Sequence, residues 1–165
     1  MPPDPSRYVT DVVGFHILPE FIESLRVAGG LGYAAVIVTN QRGIGLGVVR
    51  RESVNRMHEV LHEVLRRESL SLLDILVCPY DDDAHPWRKP NPGMLLEAEE
   101  RHSLDLAASW MIGDSERDVT AGARAACRTV RVASPAAHTD ADFHLFSMSE
   151  LPVFLERNLP GTETS

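Results

Sequence analysis

The run Ser109-Trp110-Met111-Ile112 is short and apolar, and it opens at once into Gly113-Asp114-Ser115-Glu116-Arg117-Asp118, a turn rich in acids. Runs that are short, β-rich and bounded by turn residues read as strands buried on both faces. Three others share the pattern, at residues 34–38 (Ala-Ala-Val-Ile-Val), 73–78 (Leu-Asp-Ile-Leu-Val-Cys) and 129–132 (Thr-Val-Arg-Val). Between them apolar residues fall at helical spacing: Phe21, Ile22 and Leu25, then Val54, Met57, Leu61 and Val64, then Met94, Leu95 and Ala98. A further helix is expected after Asp114, and another near Ser149, where Ser149-Glu150-Leu151-Pro152 suits an N-cap and first turn. Strands alternating with helices imply parallel pairing through right-handed crossovers, so the expected class is α/β, a three-layer Rossmann-like sheet with helices on both faces. Ligands of such sheets bind at the carboxyl ends of the strands.

The residues at those ends carry chemistry. After the first run comes Thr39-Asn40-Gln41-Arg42-Gly43-Ile44-Gly45-Leu46-Gly47, a hydroxyl followed by a glycine-bearing turn whose amides could cradle a phosphate. After the second come Cys78-Pro79-Tyr80, an acidic loop, and Trp87-Arg88-Lys89-Pro90-Asn91-Pro92-Gly93-Met94-Leu95. The third supplies Gly113, Asp114 and, one helical turn on, Asp118. Singly these read as a turn, a solvated basic pair and a capped helix start. Their order and shared position at strand ends point to one site.

In these strings, over about residues 8–133, the chain resembles phosphatases of the haloacid dehalogenase (HAD) superfamily, in the branch holding heptose-bisphosphate and histidinol phosphatases. The resemblance implies that Thr39 hydrogen-bonds the transferring phosphoryl group and that Lys89 neutralises it. It implies Asp114 as a Mg²⁺ ligand and Asp118 as the residue orienting Lys89 or the metal shell. Arg88, Asn40 and Gln41 are then substrate-binding. Such roles suit phosphoryl transfer, in which positioning and charge neutralisation dominate.

The family's first motif, Asp-x-Asp-Gly-Thr after an apolar strand, supplies nucleophile and general acid, and it is not found in the chain. Asp11-Val12-Val13-Gly14 is the nearest string, but Val13 replaces the second acid and no five-residue apolar strand precedes it. Tyr8-Val9-Thr10 occupies the place of a tyrosine that follows the nucleophile in relatives, so the motif is expected immediately upstream of Met1. Because Thr39, Lys89, Asp114 and Asp118 all remain, truncation is favoured over decay, and the central strand of the sheet is expected to be missing. The 165 residues are then expected to show no turnover.

At 165 residues, 44% hydrophobic and 24% charged, the composition fits one globular domain over residues 1–159 with a flexible tail at 160–165. A net charge of −8 disfavours nucleic acid as partner. No run approaches the roughly 20 apolar residues of a membrane span, and Met1-Pro2-Pro3-Asp4-Pro5 carries no export signal. Two distant cysteines, Cys78 and Cys127, read as buried thiols of a reducing compartment, which places the protein in the cytoplasm.

His58-Glu59-Val60-Leu61-His62 matches the His-Glu-x-x-His zinc motif, a rival function of another class. Met57, Leu61 and Val64 mark the apolar face, so the histidines fall on its polar flank and an amphipathic helix is the preferred reading. Cys78 and His85 stand where many relatives build a zinc loop from three cysteines and a histidine; two ligands cannot close such a site, and no zinc is expected. Asp81, Asp82 and Asp83, three successive acids, are expected to point apart and stay solvated. The short Tyr80-to-Trp87 loop leaves no room for a large cap. The expected function is Mg²⁺-dependent hydrolysis of a phosphomonoester of a sugar or small metabolite, with a non-catalytic phosphate- or partner-binding domain as runner-up.

Overall fold

The computed structural model of the chain describes residue 6 and residues 8–161. The chain is α/β and its strands pair in parallel, as the alternation of strands and helices requires. It falls into two compact units, Met1–Asp81 with Leu159–Ser165, and Asp82–Asn158.

In the first unit, helix α1 (Pro19–Gly30) leads to strand β1 (Val36–Asn40), a four-residue helix α2 (Arg42–Gly45), helix α3 (Arg51–Arg67) and strand β2 (Asp74–Cys78). β1 and β2 form a two-stranded parallel sheet in the register Val36 to Asp74 through Asn40 to Cys78. α3 buries Val54, Met57, Leu61 and Leu65, one stripe at helical spacing, against an otherwise charged surface. Leu65, not the expected Val64, completes the stripe. Residues 9–14 form bends and a turn, in which the Gly14 amide donates to Asp11 Oδ1 at 3.1 Å. Val13 is 86% exposed, so the segment fills no place in a sheet. Of the expected tail, residues 162–165 lie outside the described residues, and the Pro160 carbonyl accepts from the Tyr33 hydroxyl at 3.0 Å.

The second unit runs helix α4 (Gly93–His102), strand β3 (Trp110–Gly113), helix α5 (Glu116–Arg124), strand β4 (Arg128–Val132), strand β5 (Phe143–Leu145) and helix α6 (Leu151–Asn158). Its sheet has the order β3-β4-β5, parallel throughout. α5 packs on β3 and β4. The approach is close because position 122 is glycine: a Cβ there would lie 2.5 Å from that of Met111. Trp110, Phe143 and Phe154 form an aromatic cluster, with Phe143 and Phe154 edge to face at 4.9 Å between ring centroids.

Burial of the strands is uneven, which corrects the reading of all four as buried on both faces. β4, flanked by a strand on each side, buries Thr129 and Val130. Every residue of β1 is only half-buried, and β3 buries Met111 alone.

Candidate active site

The site residues of the second unit are set by α5 and the turn before it. Gly113 ends β3, and its missing side chain admits the Asp118 carboxylate: a Cβ at 113 would lie 2.2 Å from Asp118 Oδ2. That oxygen accepts the Ser115 amide at 3.1 Å, while Ser115 Oγ accepts the Arg117 amide at 3.2 Å, a reciprocal cap on the helix start. The other oxygen, Asp118 Oδ1, lies 2.6 Å from Lys89 Nζ. Both side chains of this ion pair are about nine-tenths buried. A buried pair of this kind is held by geometry, because removal of either partner strands a charge.

Lys89 sits on a loop that α5 braces. Arg117 Nη1 donates to the Lys89 carbonyl at 3.0 Å, and Arg124 Nη1 donates to Pro90 O and Asn91 Oδ1, both at 3.2 Å. The Lys89-Pro90 peptide is cis. Arg88 is 7% exposed, and its Nε donates to Asp83 Oδ1 at 2.7 Å. Asp114 lies exposed at the β3–α5 turn, and its carbonyl accepts from Arg131 Nε at 3.3 Å. Arg131 also binds Glu116 at 2.8 Å. Burial pushes the Glu116 carboxyl up, but the Asp140 amide, the Thr139 hydroxyl and Arg131 outweigh it and hold the group below its ordinary value.

In the first unit, Thr39 and Asn40 close β1, and Gln41 Nε2 donates to Thr39 Oγ1 at 3.1 Å. Much of the glycine-bearing turn after them is bonded to its own backbone. The amides of Gln41, Ile44 and residues 46–49 are spent on carbonyls of Cys78, Gln41, Arg42, Ile44 and Gly43. α3 carries His58 half-buried and His62 exposed; burial, then the proximity of His62, holds His58 below its ordinary pKa. All three acids of the triplet are exposed, and each has a partner. Asp81 pairs with Arg42, Asp82 Oδ1 accepts the Ala84 amide at 2.9 Å, and Asp83 takes two arginines. A groove of about 630 Å³ in the first unit, lined by Phe15, Ile22, Arg26, Val60 and Val64 among others, contains none of the candidate site residues Thr39, Asn40, Gln41, Arg88, Lys89, Asp114 and Asp118.

Known proteins give this geometry a family. The D-glycero-beta-D-manno-heptose-1,7-bisphosphate 7-phosphatase of Photorhabdus laumondii is 33% identical over 159 residues, covering 88% of this chain and 85% of that one. The chain belongs to the HAD phosphatases. The Escherichia coli K12 protein of the same name is 31% identical over 168 residues, covering 91% and 86%. A family model described as HAD-hydrolase-like matches residues 86–146, the stretch that holds Arg88, Lys89, Asp114 and Asp118. Among solved structures, the D,D-heptose 1,7-bisphosphate phosphatase of B. bronchiseptica, complexed with magnesium and phosphate, superposes with a TM-score of 0.80 at 25% identity, covering 90% of this chain and 88% of that one.

HAD phosphatases use Mg²⁺, which prefers six oxygens and keeps several waters beside one or two carboxylates and substrate phosphate. Among the described residues no group of three or more His, Cys, Asp or Glu side chains is placed to hold a metal ion. Asp114 offers one exposed carboxylate, and both oxygens of Asp118 are engaged by Lys89 and Ser115. These residues alone do not make a Mg²⁺ site; the ion would need phosphate oxygens and water beside Asp114. Sequence reasoning missed Asp83, Arg117 and Arg131. Each acts through a contact distant in the chain, and none repeats at a spacing that periodicity detects.

Proposed function

We propose that this chain handles phosphate as a HAD phosphatase does, for a phosphomonoester on a sugar or similar metabolite, with a heptose bisphosphate as the substrate class. One observation carries the reading: identity above 30% to heptose-bisphosphate 7-phosphatases along 85–86% of their length. In it Lys89 neutralises the phosphoryl group and Thr39 donates a hydrogen bond to it, while Asp118 holds the ammonium in place. Arg88, Asn40 and Gln41 contact the substrate, and Asp114 supplies a ligand to the cation. Charge fixed in advance around a phosphoryl group lowers the transfer barrier without reorganisation.

The 165 residues contain no Asp-x-Asp-Gly-Thr string. Asp11 is committed to its turn with Gly14. On this reading the 165 residues bind phosphate and form no aspartyl-phosphate. A non-catalytic phosphate-binding domain is the second reading favoured by that same gap. The test is binding of inorganic phosphate followed by ³¹P NMR, with heptose 1,7-bisphosphate as competitor. Saturable binding, abolished by Lys89→Ala and displaced by the bisphosphate more readily than by free heptose, is the expected result. Phosphate binding absent, or indifferent to Lys89→Ala, overturns the proposal.

A further inference from the structure

Asp83 stands on an exposed loop, with 68% of its side chain in water, yet two guanidinium groups meet on it. Its Oδ1 accepts from Arg88 Nε at 2.7 Å and from Arg117 Nη1 at 3.1 Å. The same Arg117 nitrogen donates to the Lys89 carbonyl at 3.0 Å, so one carboxylate and one arginine bracket the Arg88–Lys89 peptide. The Asp83 main chain is held as well: Asn91 Nδ2 donates to the carbonyls of Asp83 and His85, both at 3.0 Å. The Arg88 amide also donates to the His85 carbonyl at 3.0 Å, closing the loop on itself.

An exposed ion pair between flexible side chains contributes little. This one differs because Arg88 is itself buried and is fixed at Nε, the base of the guanidinium, which sets the plane of the whole group. The hydrogen bonds from Arg88 and then Arg117 hold the Asp83 carboxyl below the usual carboxylate range, so it is ionised at neutral pH.

We propose that Asp83 is a positioning residue, which orients Arg88 and, through Arg117, the Lys89 backbone for an incoming phosphate. This rests on the phosphate-binding reading above. Its sign separates it from plain electrostatics. Asp83 is a negative charge beside an anion site, so its removal should tighten phosphate binding if charge alone counted. A positioning role predicts the reverse.

The experiment titrates inorganic phosphate into the full chain and its Asp83→Ala and Asp83→Asn variants, with thermal melts alongside. Asp83→Ala is expected to weaken binding about tenfold, the scale of one charge-assisted hydrogen bond. Asp83→Asn keeps the shape and an acceptor oxygen, and is expected to weaken binding less while melting close to the parent. If the alanine variant does not fold, the asparagine variant decides alone. Equal or tighter binding by a folded variant overturns the proposal and leaves the phosphate-binding reading standing. A parent chain that binds no phosphate overturns both.

Discussion

A methyl group added at position 113 has nowhere to go, because the Asp118 carboxylate already occupies that space. Gly113→Ala should push Asp118 away from Lys89 and from the Ser115 amide, with a loss of about 3 kcal/mol in urea unfolding. An unchanged midpoint would show that the pair adapts at no cost. Cys127 gives a pH test at the same scale. Burial, then nearby Glu99, pushes its thiol up to about 11 from a model-peptide value of 9.0. A raised folded-state pKa means that the native state holds its proton longer. The contribution is full below the unfolded pKa near 9.0 and is lost as pH rises toward about 11. Stability measured from pH 8 to pH 11 should fall less steeply in Cys127→Ala than in the parent once each is normalised to pH 8; parallel curves would contradict this. Lys89 and Asp118 were legible in the sequence because their strings recur in order at strand ends. Asp83 was not, since an acid in a run of three is indistinguishable from a solvated one until Arg88 and Arg117 are seen to converge on it.

The elements were legible where the periodicity was long. α3 shows its stripe over about three turns, and α5 announces itself by the Ser115 cap. β5, three residues long, and the four-residue α2 are too short to show a period. The last helix is expected near Ser149 and α6 begins at Leu151, after a 3-10 turn at Met148–Glu150 that Ser147 caps, its Oγ accepting the Ser149 amide at 3.2 Å. Two serines two apart offer the same signal, and only the backbone chooses. Ser115→Ala should cost about 1 kcal/mol, with faster amide exchange confined to the first turn of α5. Ser147→Ala should cost more than Ser149→Ala; the reverse order would move the cap back to Ser149.

For the whole chain, parallel α/β pairing was legible from alternation, while the division into two sheets, β1-β2 and β3-β4-β5, was not. Pairing depends on which strand lies beside which, and local pattern does not encode that. We propose that residues 1–159 nonetheless form one domain, expected to unfold in a single urea transition by both fluorescence and circular dichroism; two separated transitions would refute it. The resemblance to the HAD phosphatases implies a strand bearing Asp-x-Asp-Gly-Thr, a string the 165 residues do not contain. Adding such a strand ahead of Met1 should therefore raise the melting temperature, and equal melting of the short and extended proteins would argue against it. The most direct measurement is release of phosphate from p-nitrophenyl phosphate in Mg²⁺ by both proteins. The expected result is no turnover by the 165-residue chain and Mg²⁺-dependent turnover by the extended one, abolished by Lys89→Ala. Turnover by the 165-residue chain that Lys89→Ala removes, or an extended protein that stays inactive, would contradict the account.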